Sequence, residues 1–150
     1  ELPKQVETTE MPAAPPSQPG IRPQATGLVI PDGPLAVRLD AYRRWLDREC
    51  GLSRAVVFDR HGCPLHPADG QSSFIAAAVS LGVAWREACA LTDPPGTLRA
   101  VHSAWGSGTM AVIPVPTRFG DLYVAGQVGA AIEPERAAEI GSALRRTAGV

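Results

Sequence analysis

Lysine is almost absent from this chain: Lys4 stands alone beside thirteen arginines, and 14 basic against 15 acidic residues leave a formal charge of −1. With no net field to draw it onto a polyanion, nucleic acid is not an expected partner. Cysteine is scarce as well. Cys50, Cys63 and Cys89 are odd in number and scattered, which is not a secreted disulfide framework, so a reducing, cytoplasmic location is expected. The longest near-apolar run, Phe74 to Trp85, is interrupted by Ser80 and falls short of the roughly 20 residues that a bilayer requires, so no membrane insertion is expected. There is no Gly-x4-Gly-Lys-Ser/Thr phosphate loop, no Cys-x-x-Cys pair and no repeat of fixed period. Glu1 opens the sequence with neither an initiator Met nor a basic-then-apolar leader, which reads as a processed or cut end and not as a signal peptide.

What is present suits one small domain with an extension: 150 residues, 45% of them apolar. Residues 1–33 carry seven prolines and no aromatic residue, and show neither helical nor alternating periodicity. Such a segment buries too little apolar surface to offset its conformational entropy, so it reads as an extended tail or tether, with a polyproline docking motif as the alternative. Gly27-Leu-Val-Ile30 is its one apolar patch. The domain proper is expected over 34–150.

Asp32-Gly-Pro34 is a helix-start signal, and Leu35, Leu39, Tyr42 and Leu46 recur at helical spacing until Gly51, predicting a helix over 34–50. Residues 54–60 read as a buried strand, His61-Gly62 as a tight turn and Cys63 to His66 as a short returning strand. A second helix is predicted from Ser72 or Ser73 to about Leu91. Between Phe74 and Leu91 only Ser80, Arg86 and Glu87 are polar, so this helix is apolar on more than one face. A single small sheet can cover only one of those faces, which leaves the other for a second subunit. Phe74, Ala77, Ala78, Leu81 and Trp85 fall on one side and Ile75, Val79 and Val83 towards another; the pattern does not say which is inward. Three strands follow at close spacing, Leu98 to Trp105, Thr109 to Val115 and Leu122 to Val128, most simply a meander. Pro114 and Pro116 remove ladder donors near the end of the middle one. Glu133-Pro-Glu135 opens a last helix whose inner stripe is Ala137, Ile140 and Leu144, with Arg145 and Arg146 at its negative end. The expected fold is α/β: one five-stranded antiparallel sheet flanked by helices, in the order α-β-β-α-β-β-β-α.

The constellations that could carry chemistry are weak. Gly106-Ser-Gly108-Thr-Met-Ala111 imitates a dinucleotide fingerprint but runs into Val112, Ile113 and Val115 instead of a helix, so it reads as a hairpin turn and no cofactor is expected. His61, Cys63 and His66 share one short hairpin that does not readily close a tetrahedral metal site. A Cys–His nucleophile pair from Cys63 or Cys89 with His102 is conceivable, yet Cys89 lies in the apolar helix where burial keeps a thiol inert. No catalytic, cofactor or metal residues are therefore assigned. In the third strand Leu98, Ala100, His102 and Ala104 share one face and Arg99, Val101, Ser103 and Trp105 the other, so either set would flank an axis if this strand paired with its copy.

The order of elements, together with the hairpin Ala55-Val-Val-Phe-Asp-Arg-His-Gly-Cys-Pro-Leu65, resembles the roadblock/LC7 family of profilin-like domains over about 34–147. That resemblance implies a non-catalytic scaffold that dimerises through its second helix and third strand, placing Phe74, Ala77, Ala78, Leu81, Trp85, Arg99, Val101, His102 and Ser103 at the interface. The partners it implies are a second copy or a related roadblock-like subunit, and a small Ras-like GTPase in a signalling assembly. A GAF- or PAS-like ligand sensor is the alternative function, and it would need a closed pocket lined by a few convergent polar groups.

Overall fold

In the computed structural model, which describes residues 27–68, 72–92 and 100–150, eight elements appear in the expected order. They are α1 (Leu35–Cys50), β1 (Ser53–Asp59), β2 (Pro64–His66), α2 (Ser72–Thr92), β3 (Val101–Trp105), β4 (Gly108–Thr117), β5 (Gly120–Val128) and α3 (Pro134–Ala148). The strands form one antiparallel sheet, ordered β2-β1-β5-β4-β3. The meander β3-β4-β5 is thus extended by the first hairpin, whose β1 lies beside β5 with Val57 opposite Val124 and Phe58 opposite Tyr123. The central strands β1, β5 and β4 are buried on both faces, which is why they read as continuous apolar runs and not as an alternation. The proline-rich tail through residue 26 and the strand residues Leu98 and Arg99 lie outside the described residues.

Strand parity divides the core in two. Ala55, Val57, Ala111, Ile113, Val115 and Val124 face a helical layer built from Leu39, Tyr42, Trp45 and Leu46 of α1 and Ala137, Ile140, Ala143 and Leu144 of α3. Val56, Phe58, Met110, Val112, Tyr123 and Ala125 face the opposite way, onto Phe74, Ile75 and Ala78 of α2. Two helices therefore cover one face and one helix covers the other.

The helix ends follow sequence chemistry in part. Gly51 and Gly149 close α1 and α3 in the left-handed conformation that a Cβ disfavours. Pro134 sits at the first turn of α3, where its missing N–H costs nothing. Asp32 does not cap α1: the cap position is Pro34, with no side-chain hydrogen bond. Within α1 the inner stripe begins at Leu39; Leu35 is exposed, and Trp45 joins the core three residues beyond Tyr42, on the same face. The prolines of β4 are accommodated by position. Pro114 and Pro116 pair with Tyr123 and Asp121 of β5, whereas the described pairing with β3 stops at Val101 and Val112. Residues 114 and 116 share one parity, so their missing donors face the same side, where no described strand requires them.

One helix seat is unusually close. A Cβ at Gly82 would stand 2.8 Å from Cε1 of Tyr123, so the absence of a side chain lets α2 settle onto that ring. Tyr123 is held from the side by its cross-strand neighbour Phe58, stacked at 5.5 Å between centroids, and by Arg86 Nη2, which donates to its hydroxyl at 2.7 Å. Arg86 Nη1 also donates to Asp121 at 3.2 Å, tying α2 to the start of β5. Burial raises the Tyr123 phenol above its ordinary pKa, against the opposing pull of the Arg86 charge.

Candidate functional site

The feature that stands out is a helix, α2, whose outer face is left exposed by the described residues. Over Ser72–Leu91 the mean hydropathy reaches 1.5, yet only 22% of that stretch is buried. Phe74, Ile75, Ala78 and Gly82 point inward, while Ala76, Ser80, Val83, Ala84, Glu87 and Leu91 form an outward stripe at helical spacing. Leu91 is 87% exposed. The stripe is less polar than its letters suggest, because Ser80 Oγ donates to the Ala76 carbonyl of its own helix at 2.9 Å. Arg86 is turned back to the sheet, leaving Glu87 as the one charged residue of the stripe. Contrary to the expectation from the run Phe74 to Trp85, the helix as formed has the length and composition to cross a membrane. Lifting it from the sheet would uncover Phe58, Met110, Val112 and Tyr123.

Beside this helix lies a sheet edge that no described strand pairs with. β3 is the terminal strand, and its sequence Val-His-Ser-Ala-Trp contains no proline and no Lys, Arg, Asp or Glu, the devices by which edges normally discourage pairing. Its register against β4 sets Val101 opposite Val112 and His102 opposite Ala111, so Val101, Ser103 and Trp105 face the α2 side and His102 and Ala104 the α1/α3 side. Ser103 and Ala104 are exposed. Trp105 meets Phe74 edge-on at 5.7 Å, joining the beginning of α2 to the edge strand.

The residues singled out from sequence divide accordingly. Phe74 and Ala78 belong to the core between α2 and the sheet; Ala77, Leu81 and Trp85 are half-buried at its flanks. Val101 and His102 are half-buried on β3, Ser103 is exposed there, and Arg99 lies outside the described residues. The outward stripe was recoverable from one signal: Ser80 and Glu87, two of the three polar residues between Phe74 and Leu91, are seven apart and therefore share a face. The Trp85 indole N–H is shielded and has no hydrogen-bond acceptor among the described residues.

Of the groups considered for catalysis His102 is employed locally, and Asp59 and Cys50, which were not among them, have local roles too. His102 Nε2 accepts the Ile132 backbone N–H at 3.0 Å, which fixes the ring's proton on Nδ1 and clips β3 to the segment before α3. Asp59 accepts the backbone N–H groups of His61 and Cys63 at 2.8 and 2.9 Å, closing the β1–β2 turn. Burial opposes ionisation of Asp59, but the N–H donors of Cys63 and His61 prevail and its pKa falls below the ordinary 3.8. The Cys50 thiol is pushed up to about 11 by burial, with the Arg136 charge opposing. At neutral pH it is a protonated, inert group. Among the described residues no three of His, Cys, Asp and Glu are arranged to hold a metal ion. Compared with known proteins, the chain finds no relative: no family profile, no curated protein and no solved structure matches it.

Proposed function

We propose that this chain is a non-catalytic interaction module that pairs with a second copy through the outward stripe of α2 and the edge of β3, and so serves as an adaptor or regulator in a signalling assembly of the kind built on small Ras-like GTPases. The observation that carries the pairing is the uncovered apolar face of α2, lying next to an edge strand with no protection of its own. An isologous contact suits it, because the same stripe is self-complementary: small residues at Ala76, Ser80 and Ala84 allow close approach, and Val83 and Leu91 supply apolar area. Covering roughly 400 Å² of apolar surface in the pair would contribute about 10 kcal/mol at about 25 cal/mol per Å², against association costs of about 4–15 kcal/mol. At the low end of that cost the net is about 6 kcal/mol, a dimer that dissociates in the range of tens of micromolar. The GTPase connection rests on the roadblock/LC7 resemblance.

The test is Ala84→Glu. Ala84 is exposed, so the substitution leaves the monomer's core alone and sets a carboxylate into the contact twice, once from each copy. At about 1–3 kcal/mol for each unpaired buried carboxylate, pairing should weaken by at least about thirtyfold with the melting temperature of the monomer unchanged. Ala78→Glu is the control, for Ala78 is fully buried against the sheet and this variant should unfold. If Ala84→Glu pairs as tightly as the parent chain, the stripe is not the contact. The GTPase arm is read separately, from the nucleotide exchange and hydrolysis rates of a Ras-like GTPase with and without the paired chain.

A further inference from the structure

On the opposite side of the sheet, at the end of α3, four arginines from three elements gather without a counterion among the described residues. Arg118 in the β4–β5 turn, with Arg145 and Arg146 in the last turns of α3, lines a surface cleft of ≈ 520 Å³ together with Ser142, Gly149 and Val150. Arg38 of α1 arrives from behind: a Cβ at Gly149 would stand 3.8 Å from its Nη1, and its Nε is buried with no hydrogen-bond partner. Among the described residues none of these four forms an ion pair. Asp121, three residues after Arg118, is directed to Arg86 on the α2 face, and Glu139 is paired with Arg136.

The negative pole of α3 accounts for Arg145 and Arg146, since cations at a helix C-terminus are favoured. It does not account for Arg118, which a turn could equally have carried elsewhere, or for the buried, unpartnered Nε of Arg38. Converging like charges repel one another, so an arrangement of this kind is relieved by an anion from outside. Arg145 is already positioned, its Nη1 donating to the Pro116 carbonyl and its Nη2 to Ser142 Oγ, both at 3.3 Å.

We infer that this cleft docks a carboxylate-rich peptide segment of a partner protein. Guanidinium forks match Asp and Glu side chains in bidentate geometry. The rim supplies an apolar contact: Phe119 is 75% exposed, with Arg118 stacked over its ring at 4.6 Å. A phosphate group is served less well. The cleft lies at a helix C-terminus, where carbonyls point outward, and the backbone N–H groups of Gly149 and Val150 are both spent on the Arg145 carbonyl. The surface goes beyond the self-association proposed above and does not depend on it, because it lies on the α1/α3 face while pairing uses α2 and β3. Together the two surfaces would let one pair present two client sites.

The test uses the full chain and a short fluorescein-labelled Glu/Asp-rich peptide with one central Leu, followed by fluorescence anisotropy. Saturable binding is expected, weakening steeply as salt rises from about 50 to about 200 mM. Arg118→Glu with Arg146→Glu should weaken it by about tenfold or more, Phe119→Ala by a smaller factor, and Arg118→Lys with Arg146→Lys should retain most of it. The charge-reversed chain is checked for an unchanged circular dichroism spectrum and unchanged solution mass. Should it misfold, Arg118→Gln alone, on the exposed turn, takes its place. Absence of saturable binding, binding indifferent to these substitutions, or tighter binding of a single-stranded oligonucleotide or of pyrophosphate than of the peptide would each overturn the inference. None of these results bears on whether α2 pairs.

Discussion

Gly82 is where the seat of α2 can be probed without touching its outer face. Replacing it by Ala places a methyl group 2.8 Å from Cε1 and 3.1 Å from Cδ1 of Tyr123. The ring cannot easily give way, because Phe58 of the neighbouring strand is stacked beside it with planes 9° apart and its hydroxyl is held by Arg86. Overpacking of this kind costs about 1–3 kcal/mol, against a gain of about 1 kcal/mol from replacing a helical Gly with Ala. The net expectation for Gly82→Ala is a loss of about 0–2 kcal/mol, and for Gly82→Val, with two further methyl groups and poorer helix propensity, roughly 3 kcal/mol or more. At about 3–5 °C per kcal/mol for a domain of this size, thermal melts followed by near-ultraviolet circular dichroism should show a graded fall, with the tyrosine signal lost together with the fold. A rise in melting temperature for both variants would refute the reasoning, since it would mean that helix and ring separate freely and α2 is only loosely attached.

Three further outcomes are expected. Cys63, exposed on the β1–β2 turn, should alkylate well before Cys50, whose half-buried thiol stays protonated, as peptide mass spectrometry after brief iodoacetamide treatment at pH 8 would show. Asp59 has a folded pKa below its unfolded one, so the stability it contributes is present above about pH 4 and is lost as pH falls through the folded value. Against Asp59→Asn, which cannot ionise, the parent chain should therefore lose relative stability between about pH 5 and pH 2; equal acid sensitivity of the two would remove Asp59 from the account. Tyr42→Phe deletes the hydroxyl that donates to the Ile140 carbonyl at 3.0 Å across α1 and α3, and should cost about 1 kcal/mol in a urea titration.

Sequence reasoning located the elements well because their signals were local. Gly51 marks the end of α1, Pro134 the start of α3, and the unbroken apolar strands read as buried on both faces because they are. The orientation of α2 was legible only in the shared face of Ser80 and Glu87, a signal the apolar pattern overrode. A helix apolar nearly all round carries no amphipathic stripe, so Phe74 and Ala78 could be placed at a contact when they in fact fill the layer against Met110 and Val112. The inward face is decided by Gly82 and Arg86 meeting Tyr123, two residues about forty positions away that periodicity cannot bring together. The arginine cleft was half legible: Arg145 and Arg146 were visible as helix-end charges, whereas Arg38 and Arg118 join them only through tertiary folding.

Sedimentation equilibrium of the 150-residue chain over a range of concentrations tests the central claim most directly. A monomer has a mass of 15.7 kDa. The predicted result is a mass rising towards twice that value by tens of micromolar, with the transition abolished by Ala84→Glu. A parent chain that remains at the monomer mass throughout that range would contradict it, and the exposed stripe of α2 would then have to be explained without a second copy.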